Sequence, residues 1–263
     1  MIAVMWSIMT LYPLIWTFLS SLKTNNEIFG KPFNLPTIFH FEYYMDALVK
    51  ANMAQCLFNS LIITSATTFL VVAISSMAAY VLARFTFKWI NYIYLYFIAG
   101  VIVPIHSCLV PLVRMISAVN GQNNYPIIIL LYTAFNLPVA VFLITGFMKG
   151  IPKELDEAAT IDGCGPFSLL FKILLPVASP ILATAAILTF LFTYNELIFA
   201  VLFISKRSLY TISLGLLSFI GFRAINYGPT FAGVIIAVIP MIVIYTLFQE
   251  RVEKGLSAGA VKG

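Results

Sequence analysis

Ten acidic residues, two histidines and three cysteines are the groups best suited to act as acids, bases or metal ligands near neutral pH. Within the apolar runs they do not cluster. Cys56, Cys108 and Cys164 show neither CxxC spacing nor a histidine at ligand spacing, which removes a zinc site, a redox motif and a disulfide framework. No G-x-x-x-x-G-K-[ST] pattern occurs, so the chain carries no P-loop of its own. No catalytic residue and no metal site are expected. Two features remain, the dense charge between residues 149 and 172 and Glu196, the one acid inside a long apolar run. An acid placed in lipid is costly and is a functional candidate by default. Glu196 lies about 20 residues, or about 30 Å of helix, after Pro176, which leaves open both a structural role at an interface and contact with a solute. Asn59, Asn136, Tyr194 and Asn195 offer the hydrogen-bonding edges and aromatic face that a polar path requires. Helix packing through Asn and small side chains accounts for them equally well.

The elements that must hold these groups follow from composition. Of 263 residues 61% are hydrophobic and 10% charged, where a soluble domain has about 45–50% and about 25%. With 23 Phe and 13 Tyr, the apolar surplus exceeds what one core can hide and must face lipid. The net charge of +5 is scattered singly or in pairs between uncharged runs, which excludes a nucleic-acid stripe.

Runs of about 20 apolar residues cross about 30 Å of hydrocarbon, and six such runs can be read at 1–22, 57–83, 89–113, 125–148, 173–205 and 229–249. The expected fold class is therefore an all-α integral membrane protein, a single transmembrane domain over 1–263 with a charged loop at 149–172 and a tail at 250–263. The first run lacks the basic start and short core of a secretory signal and reads as a mature span. Lys and Arg divide eight to seven between the two sides, so charge alone does not orient the chain. Ser60, Thr64 and Thr68, and again Ser75, Ala79 and Ala83, recur every fourth residue and point to close helix contact.

Residues 151–163, Ile-Pro-Lys-Glu-Leu-Asp-Glu-Ala-Ala-Thr-Ile-Asp-Gly, carry a full set of helix signals. Pro152 suits the first turn, Glu154, Asp156 and Glu157 complement the N-terminal dipole, and Gly163 can take a left-handed stop. Ile151, Leu155, Ala158 and Ala159 share a face at helical spacing. Pro166 opens a second short helix through Phe167, Leu169, Leu170 and Phe171 before Leu175-Pro176 begins the fifth span. Two short amphipathic helices between spans make a docking knob for a partner's groove.

Glu157-Ala158-Ala159, then Gly163, Ile173 and Leu175-Pro176 at their spacing match the EAA loop, and the chain resembles the permease subunits of ABC importers. Leu35-Pro36, Asn59-Ser60, Ala78-Ala79-Tyr80, Ala83-Arg84-Phe85, Pro104, Pro111-Leu112 and the ending Gly255 to Gly263 resemble the carbohydrate branch, in its maltose-permease-like second subunit. Departures are Tyr194-Asn195-Glu196-Leu197, where that branch usually has Trp-Asn-Glu-Phe, and the missing basic leader before the first span. The latter leaves a misassigned translation start and a helix anchored only from its outer end as alternatives. The resemblance implies a permease half that pairs with a homologous second permease, two cytoplasmic ATPase subunits and an extracytoplasmic sugar-binding protein. It places the chain in a bacterial inner membrane with both termini cytoplasmic. ATP and Mg would sit on the ATPase partners, with no cofactor on this chain. Glu157, Ala158, Ala159, Asp162, Gly163, Leu175 and Pro176 would couple to an ATPase, Ala158, Ala159 and Gly163 permitting close approach. Gly259, Val261, Lys262 and Gly263 would reach between the two ATPases. Tyr210, Leu214 and Gly215 in 206–228 would meet the binding protein. Asn59, Asn136, Tyr194, Asn195 and Glu196 would line the sugar path. A self-sufficient ion-coupled transporter or channel is the competing class; it calls for paired intramembrane charges and an internal repeat, and neither is seen.

Overall fold

Backbone groups in hydrocarbon have no water to bond, so uncharged runs of this length close their hydrogen bonds internally as helices. The computed structural model describes residues 1–219 and 226–260, with side chains described as far as residue 250, and the described residues contain helices and no strand. Helix α1 (Ile2–Ser20) is followed by the short α2 (Asn25–Gly30) and α3 (Glu42–Met45), the latter extended by a π turn over Asp46–Lys50. Next come α4 (Met53–Arg84), α5 (Ile90–Ile102), α6 (Leu109–Ala118) and α7 (Tyr125–Gly150). A loop holding α8 (Glu154–Ile161), α9 (Pro166–Leu169) and α10 (Leu175–Val177) leads to α11 (Ser179–Asn195), then α12 (Ile198–Phe203), α13 (Ile212–Leu217) and α14 (Tyr227–Ala260).

Among the described residues α1, α4, α7 and the Tyr227–Glu250 part of α14 are each long and apolar enough to cross a membrane. Two bent pairs, Ile90–Ile102 with Ile105–Ala118 at 91° and Pro166–Val177 with Ser179–Asn195 at 78°, raise the count to six if each is one span. Straight helices through 89–113 and 173–205 are therefore not what forms. Val103 is extended (φ −68°, ψ 120°) because Pro104 disfavours a helical residue before it. The second run breaks at Ala178, where Pro180 lacks the N–H that would bond the carbonyl of Pro176. It breaks again at Leu197 (φ −120°, ψ −37°), and α12 starts afresh.

The described chain forms two compact units. One combines residues 62–195 with α14 from Ile244 onward. In its core Val71, Ala79, Ile144, Met148, Ala159, Leu170, Leu174 and Ile181 are buried together, with Ala83 packed on the outside. Helix α7 lies against α5 and α11, and α8 rests on α9. The predicted contact stripe of Ser75, Ala79 and Ala83 falls on this core.

The other unit combines Met1–Leu61 with Glu196–Val243. Here the segment after α1 folds back, with Trp16 Nε1 (3.0 Å) and the buried Lys23 Nζ (3.2 Å) both donating to the carbonyl of Pro32. Trp16 meets Phe231 edge-on at 5.5 Å, and the Tyr227 N–H donates to Asn25 Oδ1 at 2.9 Å, which ties the start of α14 to this segment. Thr24 and Glu27 form a capping box on α2.

Glu27 also accepts from the N–H of Thr37 (3.0 Å) and from its hydroxyl. These bonds, the Thr37 hydroxyl foremost, pull the Glu27 carboxyl down from 4.5 to about 2. Its folded value lies below its unfolded one, so the carboxylate's contribution is complete above the unfolded value and fades as pH falls from about 4.5 to about 2. Protection of the Thr37 amide against hydrogen exchange is expected to fall across that window. Glu27→Gln should abolish this pH dependence; a wild-type amide whose protection is flat from pH 5 to pH 2 would contradict the assignment.

Candidate functional site

Helix α8 begins two residues after Pro152, its first turn holding Glu154, Asp156 and Glu157, and Gly163 terminates it at φ +79°. The Gly163 N–H donates to Thr160 O at 3.0 Å and the Cys164 N–H to Ala159 O at 2.9 Å, which satisfies carbonyls a helix end leaves open. A Cβ at 163 would meet nothing within 4 Å, so glycine is required here by backbone conformation alone.

The face of α8 turned to the body differs from the one read from spacing. Ile151 and Ala159 are buried, whereas Leu155 is 41% exposed and Ala158 is exposed. Asp156 turns inward with Ala159 because its carboxylate meets Arg84, Nε to Oδ2 2.7 Å. Arg84, the last residue of α4, is 5% exposed at its side chain, and its Nη1 donates to the carbonyls of Met148 (3.1 Å) and Ile151 (3.2 Å) at the end of α7. Glu157, Asp162, Ile161 (86% exposed) and Phe167 (77% exposed) stand outward. The small side chain of Ala159 therefore serves packing within the chain, and the close-approach role read for it does not fit its burial. Leu175 is half-buried against the core and Pro176 exposed, both on the short helical stretch ahead of the bend that starts α11.

The polar residues read as a path are placed as follows. Asn59 is buried; its Nδ2 donates to the carbonyls of Ser208 (2.9 Å) and Tyr210 (3.0 Å), and its Oδ1 accepts from Gln55 at 2.9 Å. Beside it Ser60 Oγ accepts from the N–H of Ile212 at 2.7 Å. These two side chains fasten the segment before α13 to the start of α4. Asn136 on α7 bonds back to Tyr132 O at 2.8 Å and borders a crevice shared with Ala185, Thr189 and Phe192 of α11. Tyr194 is 2% exposed and stacks on Phe190 at 5.6 Å, so its ring is engaged within α11. Asn195 is exposed and bonds back to Leu191 O at 2.9 Å. Glu196 is half-buried, and its carboxylate accepts from the N–H groups of Phe199 (2.9 Å) and Ala200 (3.2 Å), the open donors at the start of α12. An acid in the span thus serves helix re-initiation.

Leu214 and Gly215 are buried and Tyr210 half-buried, so the first two do not project from 206–228 as expected. Helix α14 continues to Ala260. Gly259 belongs to this helix, whereas Val261, Lys262 and Gly263 lie outside the described residues.

Residues 71–258 match the family described as binding-protein-dependent transport system inner membrane component. The chain belongs to this family. It is 33% identical over 261 residues to a diacetylchitobiose uptake system permease of Streptomyces coelicolor, covering 98% of this chain and 86% of that protein. A trehalose/maltose transport system permease of Thermococcus litoralis is 32% identical over 99% of this chain and 95% of its own length. A solved bacterial ABC transporter for alginate import superposes at TM-score 0.84 with 19% identity, over 95% of this chain and 93% of that one, and shares the fold. Membership makes the chain a permease subunit of a binding-protein-dependent ABC importer and removes the ion-coupled transporter or channel as an alternative. Within the permease, Arg84 and Asp156 were the residues that spacing alone did not single out as a pair. The available signal was a lone arginine closing an apolar span.

Proposed function

We propose that this permease subunit forms half of a sugar path in a bacterial inner membrane and takes its energy through α8 from a cytoplasmic ATPase subunit. The observation that carries the reading is the pair Ile161 and Phe167, 86% and 77% exposed beside Glu157 on a knob pinned to the body. Side chains of that kind in water mark a docking surface. Glu157 lies at the rim of the contact, and Gly163 lets the chain turn away. With the knob in the cytoplasm both termini are cytoplasmic, and a homologous second permease and two ATPases carrying ATP and Mg complete the assembly. The tail, with Gly259, Val261, Lys262 and Gly263, reaches between the ATPases.

Closure of the ATPases on ATP draws α8 along and swings the spans between inward-open and outward-open packings. An external binding protein delivers the solute to the 206–228 connection; with Leu214 and Gly215 buried, its contact falls on exposed positions such as Leu217. A sugar is the proposed cargo because relatives at this identity are named for diacetylchitobiose, for melibiose, raffinose and stachyose, and for trehalose and maltose. Asn136 and Asn195 remain the candidate solute-facing groups, while the bonds of Asn59, the stacking of Tyr194 and the cap that Glu196 forms on α12 give those three a framework role.

The test is co-purification of the tagged chain from its host in mild detergent, wild type beside Glu157→Lys and Ile161→Asp. Both positions are exposed, so the fold should stand. Wild type is expected to bring down a second permease and a P-loop ATPase. Each variant should keep the permease and retain about tenfold less ATPase. A wild-type chain that purifies alone, or variants that hold the ATPase as well as wild type does, would sink the reading.

A further inference from the structure

We propose that Arg84 is a positioning residue that converts displacement of α8 into displacement of the spans; this rests on α8 being the ATPase-docking element. Three elements meet at its guanidinium. The backbone of Arg84 ends α4, Nε pairs with Asp156 Oδ2 of α8 at 2.7 Å, and Nη1 donates to Met148 O and Ile151 O at the end of α7. Met148 O lies in the last turn of α7, where it also accepts from the Ile151 N–H at 3.2 Å, and Ile151 is the extended residue that caps that helix; a fixed cation there opposes the negative end of the α7 dipole.

The site is nearly closed to water, the two side chains being 5% and 19% exposed, so the contacts are poorly screened. Ala159 and Ile151 pack beside them with Met148, which leaves little slack in the direction of α8. A load on α8 therefore reaches α4 and α7 through one planar group. Lysine is not equivalent here, because its compact ammonium on a flexible stem does not hold a carboxylate and two carbonyls at separate nitrogens of one rigid plane.

The experiment uses the assembled complex, with Phe69→Cys and Phe192→Cys as label sites on α4 and α11 and Cys56, Cys108 and Cys164 replaced by serine. Both phenylalanines are exposed, at 72% and 64%. The probe is Mg-ATP with vanadate, and the readout is the distance between spin labels by pulsed electron resonance, alongside the amount of ATPase subunit and trapped nucleotide. Asp156→Asn keeps the shape of the side chain and removes the charge; Arg84→Lys and Arg84→Gln are tested with it.

Each variant is expected to hold the ATPase and trap nucleotide as wild type does, while the population of shifted distances falls about tenfold. Arg84→Gln with Asp156→Asn should do no more than either alone, since one contact is lost once. A part played only in folding would reduce ATPase retention and leave the shift intact in whatever complex survives. A variant with a wild-type shift, or a double variant whose losses multiply, overturns the proposal. If wild type holds no ATPase, the docking reading itself has failed, which this design tells apart. Should Arg84→Gln fail to accumulate, Asp156→Asn and Arg84→Lys decide.

Discussion

Valine at position 228 is expected to destabilise the unit built from Met1–Leu61 and Glu196–Val243 by about 3 kcal/mol. Gly228 lies in the first turn of α14, buried against the segment that follows α1. A Cβ there would sit 2.5 Å and 2.6 Å from two ring carbons of Tyr43 and 2.8 Å from the carbonyl oxygen of Lys23. Neither neighbour yields easily. The Lys23 oxygen is backbone, its own side chain is 1% exposed and bonded to Pro32, and Tyr43 is stacked on His40 at 5.1 Å.

Alanine in place of glycine gains about 1 kcal/mol of helix propensity, less than the overlap costs, so Gly228→Ala should also destabilise, by about 1–2 kcal/mol. Thermal unfolding of the purified complex, with proteolysis of residues 21–52 as a local readout, measures both. A Gly228→Ala variant that melts higher than wild type would mean that the segment relaxes away and that propensity decides the sign.

Asn59→Leu comes second in expected size. Leucine keeps the branched heavy-atom shape of asparagine, with bulkier methyl ends, but leaves the carbonyls of Ser208 and Tyr210 without their donor, a loss of about 2 kcal/mol for two partly buried acceptors. The segment between α12 and α13 should then open about thirtyfold more often, seen as faster hydrogen exchange of the Tyr210 and Ile212 amides. Ser60→Ala takes the acceptor from Ile212 alone and should cost about 1 kcal/mol. Unchanged protection in Asn59→Leu would show that the apolar seating of Ile212 and Leu214 holds the segment without the amide.

Pairs of this kind explain why some of the molecule was legible and some was not. The end of α8 could be read at Gly163 because the caps of a helix are local, written within a few residues of one another. The bends near Pro104 and Pro180 left a local signal too, but a charge-free run reads as one span whether its helix is straight or broken, and hydropathy carries no angle. Leu214 and Gly215 looked like a projecting loop because their stretch is semi-apolar; they are buried against residues far away in sequence, Gly215 beside Cys56.

By itself the order of residues determined the membrane fold class, the helix in the 151–163 loop and the family, since apolar run length, capping and motif spacing are properties of contiguous chain. Only the tertiary structure decided which polar groups are free. Asn59 and Tyr210 stand 151 positions apart, and Arg84 and Ile151 67 apart. A side chain with several possible bonds takes the one that packing brings within 3 Å or so, and burial then makes leaving it unmade costly. Asn59 and Arg84 thereby became fastenings of the framework, and Asp156 turned inward while Glu157, one residue on, stayed in the open.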